Sequence, residues 1–158
     1  MPNVLVVCTA NQCRSPVAEA LLRRYLGEIA PDKEWQVASA GTWARAGVPA
    51  DATMTTVAAE WDLDLSGHRS QPVSAALLEW ADLVLTMETG QQEALRQEFP
   101  SGQTQIRCFT ELLGVRYDVP DPIGGPPAAY RAAVRELVRM VEQGASRIPE
   151  WLGYGPAS

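Results

Sequence analysis

Cys8 and Arg14 stand six places apart in CTANQCR, a pairing that puts a nucleophile and an anion clamp into one short segment. The thiolate is the form of cysteine that attacks. The planar guanidinium fork takes two phosphate oxygens at once, which a lysine ammonium does not imitate. At this composition the spacing alone arises by chance in about one chain in five, so it gains meaning only from its setting. That setting is an apolar run before Cys8 and a Ser15-Pro16 pair after Arg14. A loop between strand and helix directs successive backbone N–H groups, together with the helix N-terminus, toward one anion. The plain alternative for Cys8 is a buried small hydrophobe at a strand end.

A phosphate ester also needs a proton for its leaving group, and the carboxyl group that gives it can later take one from water. Asp118 and Asp121 both lie in YDVPDPIGG, a proline-stiffened loop able to hold a carboxylate over the phosphate site. Asp-Pro is equally an ordinary turn opener. Cys13, five residues after Cys8, is close enough for a disulfide that would shield the nucleophile, or it packs beneath the loop. Cys108 reads as a buried, inert thiol.

The elements that would position these groups follow from periodicity. Val4 to Val7 is a short continuous apolar run, the pattern of a strand buried on both faces. The next helix is expected to be capped by Ser15 and to carry Pro16 at its first position, with Val17, Leu21, Leu22, Tyr25 and Leu26 on its apolar stripe. Further strands are expected at Trp35 to Ala40, Asp82 to Met87 and Gln105 to Phe109. Helices are expected over 50–61, 74–80, 91–98 and 127–143. Strands alternating with helices predict an α/β domain whose parallel sheet is covered on both faces, with the ligand beyond the carboxyl ends of the strands. Residues 8 to 15 occupy that place.

The chain has 158 residues, a length suited to one domain spanning 1–158. DPIGGPP and the tail GYGPAS are its Pro/Gly-rich segments, and neither resembles a domain linker. Thirteen basic and nineteen acidic side chains leave a net charge of -6 without a Lys/Arg stripe, so nucleic acid is not an expected partner. Three cysteines and one histidine make neither a disulfide scaffold nor a zinc pattern, so no metal or cofactor is expected. No apolar run is long enough for a membrane span, and the N-terminus lacks a secretory pattern. A cytoplasmic, membrane-free protein is therefore expected.

VLVVCTANQCRSPVAEALL resembles the signature of the low-molecular-weight protein tyrosine phosphatase family. The ASAGT segment around Ser39, LDLSGHRS around His68, ADLVLTM and VPDPIGG follow in the family's order. The resemblance implies a single three-layer doubly wound domain with a four-stranded parallel sheet. It also implies hydrolysis of phosphotyrosine in proteins through a phosphocysteine intermediate on Cys8. Thr9, Ala10, Asn11, Gln12, Cys13 and Ser15 would form the rest of the phosphate-binding loop, and Arg14 and the loop amides would stabilise the equatorial oxygens. Ser15 would hydrogen-bond the sulfur, while Asn11, backed by Ser39 and His68, would hold the loop in shape. The family's acid precedes a proline, which selects Asp121, and the resemblance supports the protective pairing of Cys8 with Cys13.

Departures from the family's commonest loop are Ala10, where glycine is usual, and Gln12, where an apolar residue often sits. Ala10 asks for a backbone angle that alanine accepts. His68, in a polar GHRS turn, also reads as an exposed side chain, and Trp43 as either an aromatic wall of the cleft or a merely exposed ring. Tyrosine-directed members usually carry aromatic residues after the Asp-Pro, where this chain has Ile123, Gly124 and Gly125. Arginine phosphatases of the same fold carry threonine where Gln12 stands, and they are the alternative. Thioredoxin-coupled arsenate reductases share the loop but need two more cysteines after the third strand, and TMETGQQEALRQ has none. A phosphate-binding module without catalysis would lack Asp121.

Overall fold

The structure, a computed structural model, describes residues 1–100, 102 and 104–155, so residues 156–158 of the GYGPAS tail lie outside the described residues. Four strands run β1 Asn3–Cys8, β2 Gln36–Gly41, β3 Leu83–Thr86 and β4 Gln105–Cys108. All pair in parallel, in the order β2-β1-β3-β4. The chain therefore leaves β1 to one side and returns to its other side, and the crevice at such a reversal is where open α/β sheets bind ligands. Cys8 is the last residue of β1 and stands opposite Gly41 in the register.

The apolar run of β1 divides between two cores because successive side chains alternate across a strand. Val4 and Val6 join Leu83 and Leu85 in the larger core, whereas Leu5 and Val7 join Val84 and Ile106 in the smaller one. Helices α1 (Arg14–Ile29) and α5 (Pro127–Gly144) close the larger core together with α2 (Ala52–Ala59). Helices α3 (Ala75–Trp80) and α4 (Thr89–Glu98) lie on the smaller. The result is the three-layer, doubly wound α/β arrangement expected from the alternation of elements.

Helix α5 starts with Pro127 at its first turn, where a missing N–H costs nothing. It buries Tyr130, Ala133, Val134, Leu137, Met140, Val141 and Gly144, a stripe at helical spacing. Leu137 is fully buried, and Leu137→Ala there costs about 2–5 kcal/mol. A short 3-10 helix, Phe109–Leu113, packs against the end of α5 because Gly144 has no Cβ to run into the carbonyl of Leu112. Helix α6, Arg147–Trp151, completes the chain's elements. Among the described residues no helix is long and apolar enough to cross a membrane.

Two local expectations are corrected. Helix α1 begins at Arg14, with Cys13 at its cap position and no side-chain cap, so Ser15 lies inside the first turn and Pro16 two places deeper than expected. Proline is accepted there because the first turn's N–H groups have no helical partner. Phe109, expected to close the fourth strand, instead opens the 3-10 helix.

Candidate active site

The loop from Cys8 to Arg14 is pinned by its carbonyls. Thr42 N donates to Cys8 O at 2.9 Å, Trp43 N to Thr9 O at 2.8 Å and Asp51 N to Gln12 O at 2.9 Å. His68 Nε2 lies 2.6 Å from Asn11 O, and since a carbonyl only accepts, Nε2 carries the proton. Among the described residues none of the N–H groups of Thr9 through Arg14 donates to a protein acceptor. With the carbonyls of Cys8, Thr9, Asn11 and Gln12 bonded to the surrounding chain and the N–H groups left over, the loop is an anion-binding nest at the N-terminus of α1.

Asn11 makes that turn possible. Its φ is 57°, a left-handed angle that asparagine tolerates better than most residues. Ala10 does not need one. Asn11 is fully buried, and its Nδ2 donates to Ser15 Oγ at 2.8 Å and to Ser39 Oγ at 2.9 Å. Its Oδ1 accepts from Gln71 N at 2.9 Å. Three such bonds, each worth about 1 kcal/mol, offset the backbone cost. Gly41 lets β2 approach, since a Cβ there would collide with the Thr9 carbonyl and stand 2.9 Å from Asn11 N.

Arg14 is 1% exposed. Its Nη1 donates to Val119 O at 2.7 Å and lies 2.9 Å from Glu88 Oε2, while Nη2 donates to Thr9 Oγ1 at 3.2 Å. Its Nε is buried with no hydrogen-bond partner among the described residues. A buried guanidinium N–H is costly to leave unpaired, so the free edge of Arg14 is a donor suited to an oxyanion. The Cys8 Sγ is 2.9 Å from Ser15 Oγ.

Asp121 brings a carboxylate to the same place: its Oδ2 is 3.5 Å from Arg14 Nη2, and its Oδ1 accepts from Ile123 N at 3.1 Å. Asp118 is engaged elsewhere, its Oδ1 accepting from Thr89 N at 2.7 Å in the first turn of α4. Cys13 is 2% exposed and unpaired, and burial first, then the charges of Asp51, Asp121 and Cys8, push its thiol far up. Cys108 is fully buried in β4, 3.3 Å from Gln92 Oε1. Trp43 is 87% exposed, although its backbone is bonded to the loop. Among the described residues no cluster of three His, Cys, Asp or Glu side chains is placed to hold a metal ion.

Every loop residue singled out from the sequence, with Ser39 and His68, is thus brought together. Glu88, Gln91 and Gln71 were not foreseen. Glu88 pairs with Arg14, Gln91 Nε2 donates to Thr9 Oγ1 at 3.2 Å, and Gln71 Nε2 donates to Ser39 O at 3.0 Å. Glu88 immediately follows the ADLVLTM segment, and the end of a strand beside the phosphate loop was the signal for it.

A family model described as low molecular weight phosphotyrosine protein phosphatase matches residues 3–150. The chain is 37% identical over 146 residues to the low molecular weight protein-tyrosine-phosphatase Wzb of Escherichia coli (strain K12), covering 92% of this chain and 95% of that one. Among solved structures, a YwlE arginine phosphatase from Geobacillus stearothermophilus superimposes with TM-score 0.84 at 31% identity, covering 96% and 95% of the two chains. Vibrio vulnificus Wzb in complex with benzylphosphonate superimposes with TM-score 0.79 at 34% identity, covering 96% and 97%.

Proposed function

The chain belongs to the low molecular weight protein tyrosine phosphatase family, and on that premise we propose that it hydrolyses phosphotyrosine in proteins by way of a phosphocysteine on Cys8. The observation that carries this reading is the nest of unpaired N–H groups around a cysteine whose sulfur is 2.9 Å from a serine hydroxyl.

In the first step Cys8 Sγ attacks phosphorus in line, the ester P–O bond breaks, and the Asp121 carboxyl group protonates the leaving oxygen. Loop amides and Arg14 hold the equatorial oxygens throughout, the electrostatic contribution that dominates phosphoryl transfer. In the second step water attacks phosphorus, Asp121 takes its proton, and the P–S bond breaks to release phosphate and the thiolate. Glu88, paired with Arg14 Nη1, keeps that side of the guanidinium occupied and leaves Nε for the substrate.

Exposed Trp43, on a loop bonded to Thr9, supports a tyrosine side chain by offering a ring for stacking. The arginine alternative draws support from Ile123-Gly124-Gly125 after the Asp-Pro, where no aromatic stands, and from the likeness to the Geobacillus arginine phosphatase. Matched peptides carrying phosphotyrosine, phosphoarginine and phosphoserine separate the two. Phosphotyrosine is expected to give the highest kcat/KM, and Gln12→Thr to shift the ratio toward phosphoarginine. A preference for phosphoarginine of at least about tenfold in the unaltered enzyme, about 1.4 kcal/mol in transition-state binding, rejects the tyrosine assignment.

A further inference from the structure

Tyr130 carries a polar atom into a place where a phenylalanine would pack equally well. It lies in the first turns of α5, is 3% exposed and belongs to the larger core. A hydroxyl buried to that degree costs free energy unless it is hydrogen-bonded. Its bond goes to the acid loop: Gly124 N donates to the Tyr130 hydroxyl at 3.3 Å.

That loop is tied together by its own hydrogen bonds. Gly125 N donates to Pro122 O at 2.9 Å, closing a turn whose third residue, Gly124, has φ +84°, the angle a type II turn requires there. The carboxylate of Asp121 is bonded to the Ile123 N–H of the same turn. On its N-terminal side the piece is anchored by Val119, whose N donates to Met87 O at 2.9 Å and whose O receives Arg14 Nη1. On its C-terminal side the Tyr130 hydroxyl is the bond from the turn to the core.

Because the phenol oxygen accepts from Gly124, its own proton is free for another acceptor. Asp51 is fixed twice, by its N–H to the Gln12 carbonyl at 2.9 Å and by its Oδ2 to Met54 N at 3.0 Å. Burial, ahead of the Asp51 charge, raises the phenol, which keeps its proton.

We propose that the Tyr130 hydroxyl is a positioning group for catalysis, setting the place of Asp121 over the phosphate site by holding Gly124. The proposal rests on the reading of Asp121 as the proton donor. A donor misplaced by a fraction of an ångström protonates a poor leaving group inefficiently and leaves a good one little affected.

Tyr130→Phe in the full chain tests it. Turnover of phenyl phosphate should fall about five- to tenfold and that of nitrophenyl phosphate less than about twofold, with KM and vanadate affinity unchanged. In an Asp121→Asn background the extra loss on phenyl phosphate should vanish, since the hydroxyl acts through that carboxyl group. Amide exchange at Gly124 should become about tenfold faster in Tyr130→Phe, a readout that does not depend on the acid. Equal losses on both substrates, no loss, additivity with Asp121→Asn, or unchanged Gly124 exchange would each overturn the proposal. If Asp121→Asn itself showed no leaving-group dependence, the acid reading would fall, and Gly124 exchange would then decide the latch.

Discussion

Ser15 Oγ lies 2.9 Å from Cys8 Sγ while accepting a hydrogen bond from Asn11 Nδ2 at 2.8 Å. A thiolate sulfur can only accept, so toward the ionised Cys8 it is the serine that donates. That proton stabilises negative charge on the sulfur, which matters most when the thiolate leaves phosphorus. Ser15→Ala should therefore slow breakdown of the phosphocysteine about 10- to 100-fold and its formation much less. Rapid mixing with nitrophenyl phosphate should reveal a burst of nitrophenol that the unaltered enzyme shows weakly. Equal slowing of both steps would remove the assigned role.

The two aspartates of the acid loop should separate cleanly. Asp121→Asn should slow phenyl phosphate far more than nitrophenyl phosphate, because a good leaving group needs little proton assistance. Asp118→Asn should leave turnover near normal and lower stability by about 1 kcal/mol, since its carboxylate holds the Thr89 N–H at the start of α4. Urea midpoints and substrate ratios check both, and parallel profiles for the two variants would defeat the assignment.

Cys13 should show itself through pH and oxidation. Burial, with Asp51, Asp121 and Cys8, raises its folded pKa above the ordinary thiol value of 9.0. The folded state then holds the proton more tightly than the unfolded chain, so this contribution to stability is fully present below pH 9.0 and is lost as pH rises above it. The loss is about 1.4 kcal/mol per pH unit while only the unfolded thiol ionises. Urea midpoints of Cys13→Ala should be flatter above pH 9.0 than those of the unaltered chain. Mild peroxide should also yield a Cys8 to Cys13 disulfide reversible by thiol, with Cys13→Ala inactivated for good. Peptide mapping that found Cys8 joined to Cys108 would reject the pairing.

The sequence was most legible where local pattern and chemistry coincide. The apolar run before Cys8, the cysteine-to-arginine spacing and the Asp-Pro sequence are each contained in a few neighbouring residues, and all three meet in the structure. Ser15 was misjudged as a cap because capping is a local rule, whereas its hydroxyl is claimed by Cys8 and Asn11 from outside the helix. Glu88 escaped notice because its partner Arg14 is 74 positions away, brought near only by the pairing of β1 with β3. Tyr130 falls inside the helix expected over 127–143, where periodicity reports the ring and is silent on where a hydroxyl points.

The burial of Arg14 has a thermodynamic side. A flexible surface arginine must shed water and freeze its torsions each time it closes on an anion. Here the guanidinium is 1% exposed, bonded to Val119 O and paired with Glu88 within the folded chain. Those entropic and desolvation costs are thus met once, when the protein folds, and docking phosphate adds little further ordering. Anion affinity and conformational stability are then two readings of one equilibrium: saturating phosphate or vanadate should raise the melting temperature, while a peptide copy of residues 8–15 should bind neither.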